Sequence, residues 1–285
     1  MPIGNAQKVA RQKHLGSSDM AALLGLDHRR NAYDLWLEKT GRLEDQNENQ
    51  AMYAGTMFED GILNHAENEL GKIIRNQYRS AKDKGLPLGA NIDALLVNSG
   101  APIEVKTAGL YGPLVEHWGD AGTDEVPDRV IVQAHVHMIC TDQELCHIAA
   151  FLGGRGFQMF VVPRDGELSG IIVDRATAFW HNHVESDTPP TDLLPHADII
   201  KRVRRQPETI VTLSQQLVDD WQTAKEALKA AKEEADLRQT AILTALGDAE
   251  AGQTEKGMFT HMQQTRAEYT VKASTYRVAR FKVSK

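Results

Sequence analysis

Two short apolar runs, Leu88 to Val97 and Ala101 to Lys106, meet at Asn98-Ser99-Gly100. A turn signal between two strand-length runs commits this segment to a pair of β-strands. The first strand carries Asp93. The second carries Glu104 and Lys106, two residues apart and therefore on one face of a sheet. Two carboxylates supply the hard oxygen ligands that Mg²⁺ takes, and a lysine beside them can orient an activated water or neutralise charge on a phosphate. That combination suits phosphodiester cleavage. The spacing D-x10-E-x-K does not by itself decide between such a site and a hairpin with an exposed Glu–Lys pair.

The flanking segments add to it. Upstream, Met52 to Gly71 reads as a helix in which Gly55 and Glu59 share a face. The glycine is expected to let the backbone approach a neighbour closely, and Glu59 to reach a metal site one turn on. Downstream, Val130 to Met138 reads as a buried helix after Pro127, with Gln133 on its apolar side. A buried amide needs partners, which a scissile phosphate, a metal-bound water or an ordinary internal hydrogen bond would provide. Near the amino end, Arg11 precedes Gly16-Ser17-Ser18-Asp19 and an Ala/Leu run. Ser17 and Asp19 are expected as helix-capping residues. The free N–H groups of that first turn, with Arg11 nearby, would also receive a phosphate.

In this order the motifs resemble the YqaJ-type viral recombinases, relatives of phage lambda exonuclease within the PD-(D/E)XK nuclease superfamily. The resemblance runs from about residue 8 to 190 and takes in Trp118-Gly119-Asp120, Val126-Pro127, Phe179-Trp180 and Thr188-Pro189-Pro190. It implies a restriction-endonuclease-like α/β core, a central mixed sheet flanked by helices. It also implies that Asp93, Glu104 and the Val105 carbonyl bind Mg²⁺, or Mn²⁺ in its place, as a pair of ions. Lys106 would assist the nucleophile, Glu59 and Gln133 would complete the catalytic set, and Arg11, Ser17 and Ser18 would hold a 5′-phosphate. The implied activity is 5′-to-3′ degradation of one strand at double-stranded DNA ends, leaving 3′ tails for recombination. The implied partners are further copies in a ring-shaped trimer or tetramer and a single-strand annealing protein. An endonuclease or nickase, and a non-catalytic DNA-end-binding protein, are the other readings. Ile92 stands where the superfamily has proline before the aspartate, and Ala94 where relatives often have glycine. Neither position supplies a ligand.

Composition bears on what remains. A net charge of −7 sits oddly with DNA, but local fields matter more than the total, and Lys201 to Arg205 and the tail from Arg266 are basic. Cys140 and Cys146 make neither a disulfide framework nor the four thiolates of an iron–sulfur cluster, and with His135, His137 and His147 they match no zinc spacing. No run of some 18 apolar residues and no signal pattern at Met1-Pro2-Ile3-Gly4 occurs, so a cytoplasmic chain without a membrane partner is expected. The family resemblance implies a bacterial host and a phage or prophage origin. We expect a nuclease core over 1–205 and a C-terminal extension over 206–285. The extension reads as a long amphipathic helix, 211–246, with an Ala-rich seam suited to a close partner helix. Strands would follow within 257–283, with 258–263 and 269–272 forming a hairpin and 276–283 a further strand. Self-association, DNA guidance, partner docking and packing on the same subunit are all open roles for it.

Overall fold

The structure is a computed structural model describing residues 11–44, 50–109, 116–265 and 268. Two compact units divide the chain between Arg205 and Gln206.

The first unit is built on one five-stranded sheet whose spatial order equals chain order. Its strands are β1 (Ile73–Ser80), β2 (Gly89–Leu96), β3 (Pro102–Ala108), β4 (Leu145–Leu152) and β5 (Gly156–Pro163). All neighbours are antiparallel except β3 and β4, which are parallel and register Glu104 against Ile148 and Lys106 against Ala150. Parallel neighbours need a crossover, and helix α4 (Asp128–Thr141) lies in it. Before β1 come α1 (Ser17–Leu23), α2 (Ala32–Lys39) and α3 (Gln50–Leu70); after β5 come α5 (Gly166–Phe179), a π-helical stretch (Trp180–Glu185) and the short α6 (Ala197–Ile200). This is the mixed sheet flanked by helices that the motifs led us to expect.

Period-two alternation divides the sheet's side chains between two helical layers. Ile62, Leu63 and Ala66 of α3 pack on Ala94, Ile103 and Ala149. Val130, Ala134 and Met138 of α4 pack instead on Ile148, Ala150, Phe160 and Val162. Glu104 and Lys106, adjacent to Ile103 and registered with Ile148 and Ala150, therefore belong to the α4 side. A third cluster joins α1, α2, α4 and α5 to Ala90, Ile92 and Leu95 of β2.

Three local expectations are corrected. The N-cap of α1 is Gly16, not Ser17. Asp19, two residues further in, accepts the Gly16 N–H at 2.8 Å and so ties down the helix start from inside the first turn. Gly55 makes no close approach, since a Cβ added there would meet nothing within 4 Å. In the second unit, α7 (Gln215–Leu246) is followed by a hairpin of β6 (Ala251–Thr254) and β7 (Gly257–Thr260). The strand at Met258 thus pairs with residues before it, across a turn at Glu255-Lys256. The strands expected at 269–272 and 276–283 lie outside the described residues. No residue of α7 is buried. Among the described residues no helix is long and apolar enough to cross a membrane.

Candidate active site

The β2 strand is irregular at one position. Every residue of β2 has a partner on β1 except Asp93, whose opposite number, Asn76, takes a left-handed φ of 54°. On its other side, β2 pairs with β3 only through Ala94–Ile103 and Leu95–Pro102, and the ladder stops as it reaches Asp93. In its place the Val105 N–H donates to Oδ2 of Asp93 at 2.6 Å. Packing records the same break. Ala90, Ile92 and Leu95 share one cluster while Ala94 belongs to another, so the alternation slips by one residue at Asp93. The slip is what sets an aspartate side chain against the backbone of the strand carrying Glu104.

The charges of these groups act on one another. Burial, and then the Glu104 charge, pushes the Asp93 carboxyl well above the usual carboxylate range. Burial would raise Glu104 too, but the Lys106 ammonium, ion-paired with its Oε1, holds it below its ordinary value. Glu59 on α3 is raised by burial and by the charges of Asp60 and Glu104, so it belongs to the same electrostatic neighbourhood. Gln133 on α4 is buried, and its Oε1 has no hydrogen-bond partner. One turn later on the same helix face, His137 is fully buried with Nδ1 3.5 Å from Oε2 of Glu104.

Among the described residues, no group of three or more His, Cys, Asp and Glu side chains is arranged around a common metal position. A cation here would have the Asp93 and Glu104 carboxylates with whatever the backbone adds. That set fits a hard divalent cation, because Asp93 resists ionisation beside Glu104 and a positive charge between them relieves the conflict. Cys140 and Cys146 are free and buried, and burial pushes the Cys140 thiol up to about 12, so they are packing residues.

A cleft of about 1140 Å³ has Glu59, Asn76 and Asp93 in its wall and also reaches Arg11, Lys13, His14, Tyr78, Lys82 and His181. Acidic and basic groups thus share one cavity. Ser17 and Ser18 are not part of its wall. The Ser18 carbonyl instead accepts from Arg30 at 3.0 Å. What orders this region is a buried network that no motif announced. Lys39, its side chain 1% exposed, is ion-paired with Asp19 at 2.6 Å and donates to the Arg11 carbonyl at 2.7 Å, while Arg30 holds the other Asp19 oxygen at 3.1 Å. Burial pushes Asp19 up, but Lys39 and then Arg30 outweigh it and hold the carboxyl far below its usual range. The sequence does not single out Lys39, Lys82 or Asn76, and it brings in His137 only as a candidate zinc ligand. For Asn76 the reason is the strand break it shares with Asp93, which nothing in local composition marks.

Residues 8–144 match the YqaJ-like viral recombinase domain family. The matched stretch, just under half of the chain, is similar to that family. The uncharacterized protein YqaJ of Bacillus subtilis (strain 168) is 28% identical over 186 residues, covering 64% of this chain and 57% of that protein. The chain thus spans little more than half the length of that relative. Among solved structures, an alkaline exonuclease (LHK-Exo) from Laribacter hongkongensis is similar with a TM-score of 0.48 and 18% identity, over 65% of this chain and 94% of the other. A phage related exonuclease from Haemophilus somnus 129PT is similar at a TM-score of 0.42 and 12% identity, over 55% and 80% of the two chains. Asp93, Glu104, Lys106 and Gln133 all lie within the matched residues 8–144, as do Arg11 and Glu59.

Proposed function

We propose that the chain is a divalent-cation-dependent deoxyribonuclease that works inward from the 5′ ends of duplex DNA and leaves 3′ single-stranded tails. The observation that carries this reading is the interrupted ladder at Asp93, which brings that carboxylate against the backbone of the Glu104–Lys106 strand. Asp93 and Glu59, though not Glu104, Lys106 or Gln133, line a cleft with Arg11, Lys13 and Lys82. Asp93 and Glu104 would hold Mg²⁺ or Mn²⁺, with the Val105 carbonyl beside them. When bound, the cation supplies Lewis-acid polarisation of the phosphate and a water of lowered pKa.

The remaining chemistry belongs to the protein's own groups. Lys106 Nζ, released from Glu104, orients the attacking water and neutralises charge building on the phosphate. The unpartnered Gln133 Oε1 accepts a hydrogen bond from that water's other O–H and fixes its direction. Glu59, raised above its ordinary pKa by burial and then by Asp60 and Glu104, would exchange a proton at its carboxyl. Arg11, whose backbone is anchored by Lys39, binds a terminal phosphate. A ring-shaped trimer or tetramer and a single-strand annealing partner complete the proposal, on the strength of the family alone.

One observation favours an endonuclease instead: Ser17 and Ser18 stand outside the cleft wall, which leaves Arg11 to read the end without them. The deciding experiment compares linear and covalently closed duplex with and without Mg²⁺, using Asp93→Ala as the control. Degradation confined to linear DNA and dependent on Mg²⁺ and Asp93 is expected. Equal cutting of closed circles would replace the exonuclease with the endonuclease. Activity that survives in Asp93→Ala would remove the site altogether.

A further inference from the structure

His137 is the most deeply buried polar side chain near the site, with 0% exposure and neither ring nitrogen hydrogen-bonded. Its neighbours on α4, Val136 and Met138, are also fully covered. Nothing in their packing calls for an imidazole, and a leucine would fill similar space without stranding a polar group in an apolar interior. A buried group left unpaired in a native fold asks for a reason. The nearest one is Glu104, whose Oε2 lies 3.5 Å from Nδ1 while Lys106 occupies Oε1. Contacts of this kind are often long in the resting enzyme and shorten in the working complex.

We propose that His137 is a positioning residue for Glu104: its Nδ1–H donates to Oε2 and fixes the carboxylate while Oε1 turns from Lys106 toward a divalent cation. An imidazole with its N–H on Nδ1 has that donor facing the carboxylate, 3.5 Å from Oε2. Groups one step behind a metal ligand act this way, setting its orientation and basicity. Gln133, one turn earlier on α4, faces the same region, so a single helix face would serve both the carboxylate and the water. The inference rests on the reading of Asp93 and Glu104 as cation ligands.

The test is Mn²⁺ binding to the full-length protein by isothermal titration calorimetry, with melting in metal-free buffer measured alongside. His137→Leu is expected to bind Mn²⁺ roughly 10–100-fold more weakly than wild type. It should melt no lower than wild type, because it removes an unpaired buried polar group. His137→Asn, which keeps an N–H donor at the same distance along the side chain, is expected to recover most of the binding. Unchanged Mn²⁺ affinity in His137→Leu overturns the proposal, as does an Asn variant no better than Leu. Should Leu prevent folding, His137→Met replaces it, since its flexible chain fills irregular space. If wild type itself binds no Mn²⁺, the cation reading fails and this inference with it. That outcome is distinct from intact binding in both proteins, which sinks the role of His137 alone.

Discussion

Replacing Lys39 with methionine tests the network that anchors Arg11. The Lys39 ammonium is out of water and has two partners, the Asp19 carboxylate at 2.6 Å and the Arg11 carbonyl at 2.7 Å. Removing one member of a buried pair costs about 3–5 kcal/mol, because the other charge is left uncompensated. Arg30 remains 3.1 Å from Asp19, which favours the lower end, about 3 kcal/mol. The lost bond to the Arg11 carbonyl adds roughly 1 kcal/mol. For a unit of this size each kcal/mol moves Tm by about 2–4 °C, so a fall of roughly 6–16 °C is expected by thermal unfolding followed with near-UV circular dichroism. The pH dependence has a definite sign. Asp19 is depressed in the folded state, so its contribution is present above the unfolded carboxylate pKa and is lost as pH falls toward the folded value. Lys39→Met removes most of that contribution and moves the acid unfolding midpoint to higher pH. Adding Asp19→Asn should restore much of the stability, since the stranded charge goes with it. A single variant within about 1 kcal/mol of wild type, or a double variant as unstable as the two losses added, would refute the account of this network.

Four further outcomes are expected. In metal-free buffer Asp93→Asn should melt higher than wild type at neutral pH. The raised Asp93 pKa means that folding favours its protonated form, so wild-type stability is lost as pH rises through the folded value, and the amide abolishes that loss. Asp93→Ala and Glu104→Ala should each lower turnover on linear duplex about 10³-fold or more. Lys106→Arg should lower turnover with DNA affinity little changed, because a planar fork cannot take the place of a compact ammonium; equal loss of both, by single-turnover kinetics and filter binding, would mark a general phosphate anchor. Arg11→Ala should shrink the preference for 5′-phosphate over 5′-hydroxyl ends by roughly 1–3 kcal/mol, and an unchanged ratio of rates would remove the end-reading role.

The strands of the site were legible because each packs on a buried face. Gly89–Leu96, Pro102–Ala108, Leu145–Leu152 and Gly156–Pro163 carry apolar runs between turn residues. The helix carrying Gln133 was legible for the same reason. Strand β1 was not. Its sequence, Ile73 to Ser80, is mostly polar because it is an edge strand whose alternate side chains face water. Spacing also showed that Glu104 and Lys106 share a face. It could not show that Asp93 joins them, because strict alternation assigns Ile92 and Ala94 to one side, and the slip at Asp93 is a tertiary event shared with Asn76. Likewise Lys39 reads as an ordinary charged residue at the end of a helix. Its burial is decided by Asp19, 20 positions away in the chain.

The sheet's connectivity bears on when the proposed site could first act. Strand order follows chain order, so β1 to β3 can assemble as a meander as soon as they leave the ribosome, while the far edge of β3 waits for its parallel neighbour. Asp93, Glu104 and Lys106 are all synthesised before the helix that bears Gln133 and His137, and roughly fifty residues before the end of β4. At about 5–20 residues per second that is a delay of a few seconds in which the carboxylates exist but nothing covers them. A partly made chain would lack the dry surroundings on which its grip on a cation depends, and cutting would be deferred until the unit is whole. Nascent chains arrested before β4 should remain open to protease at β3, and chains that expose all of β5 should not.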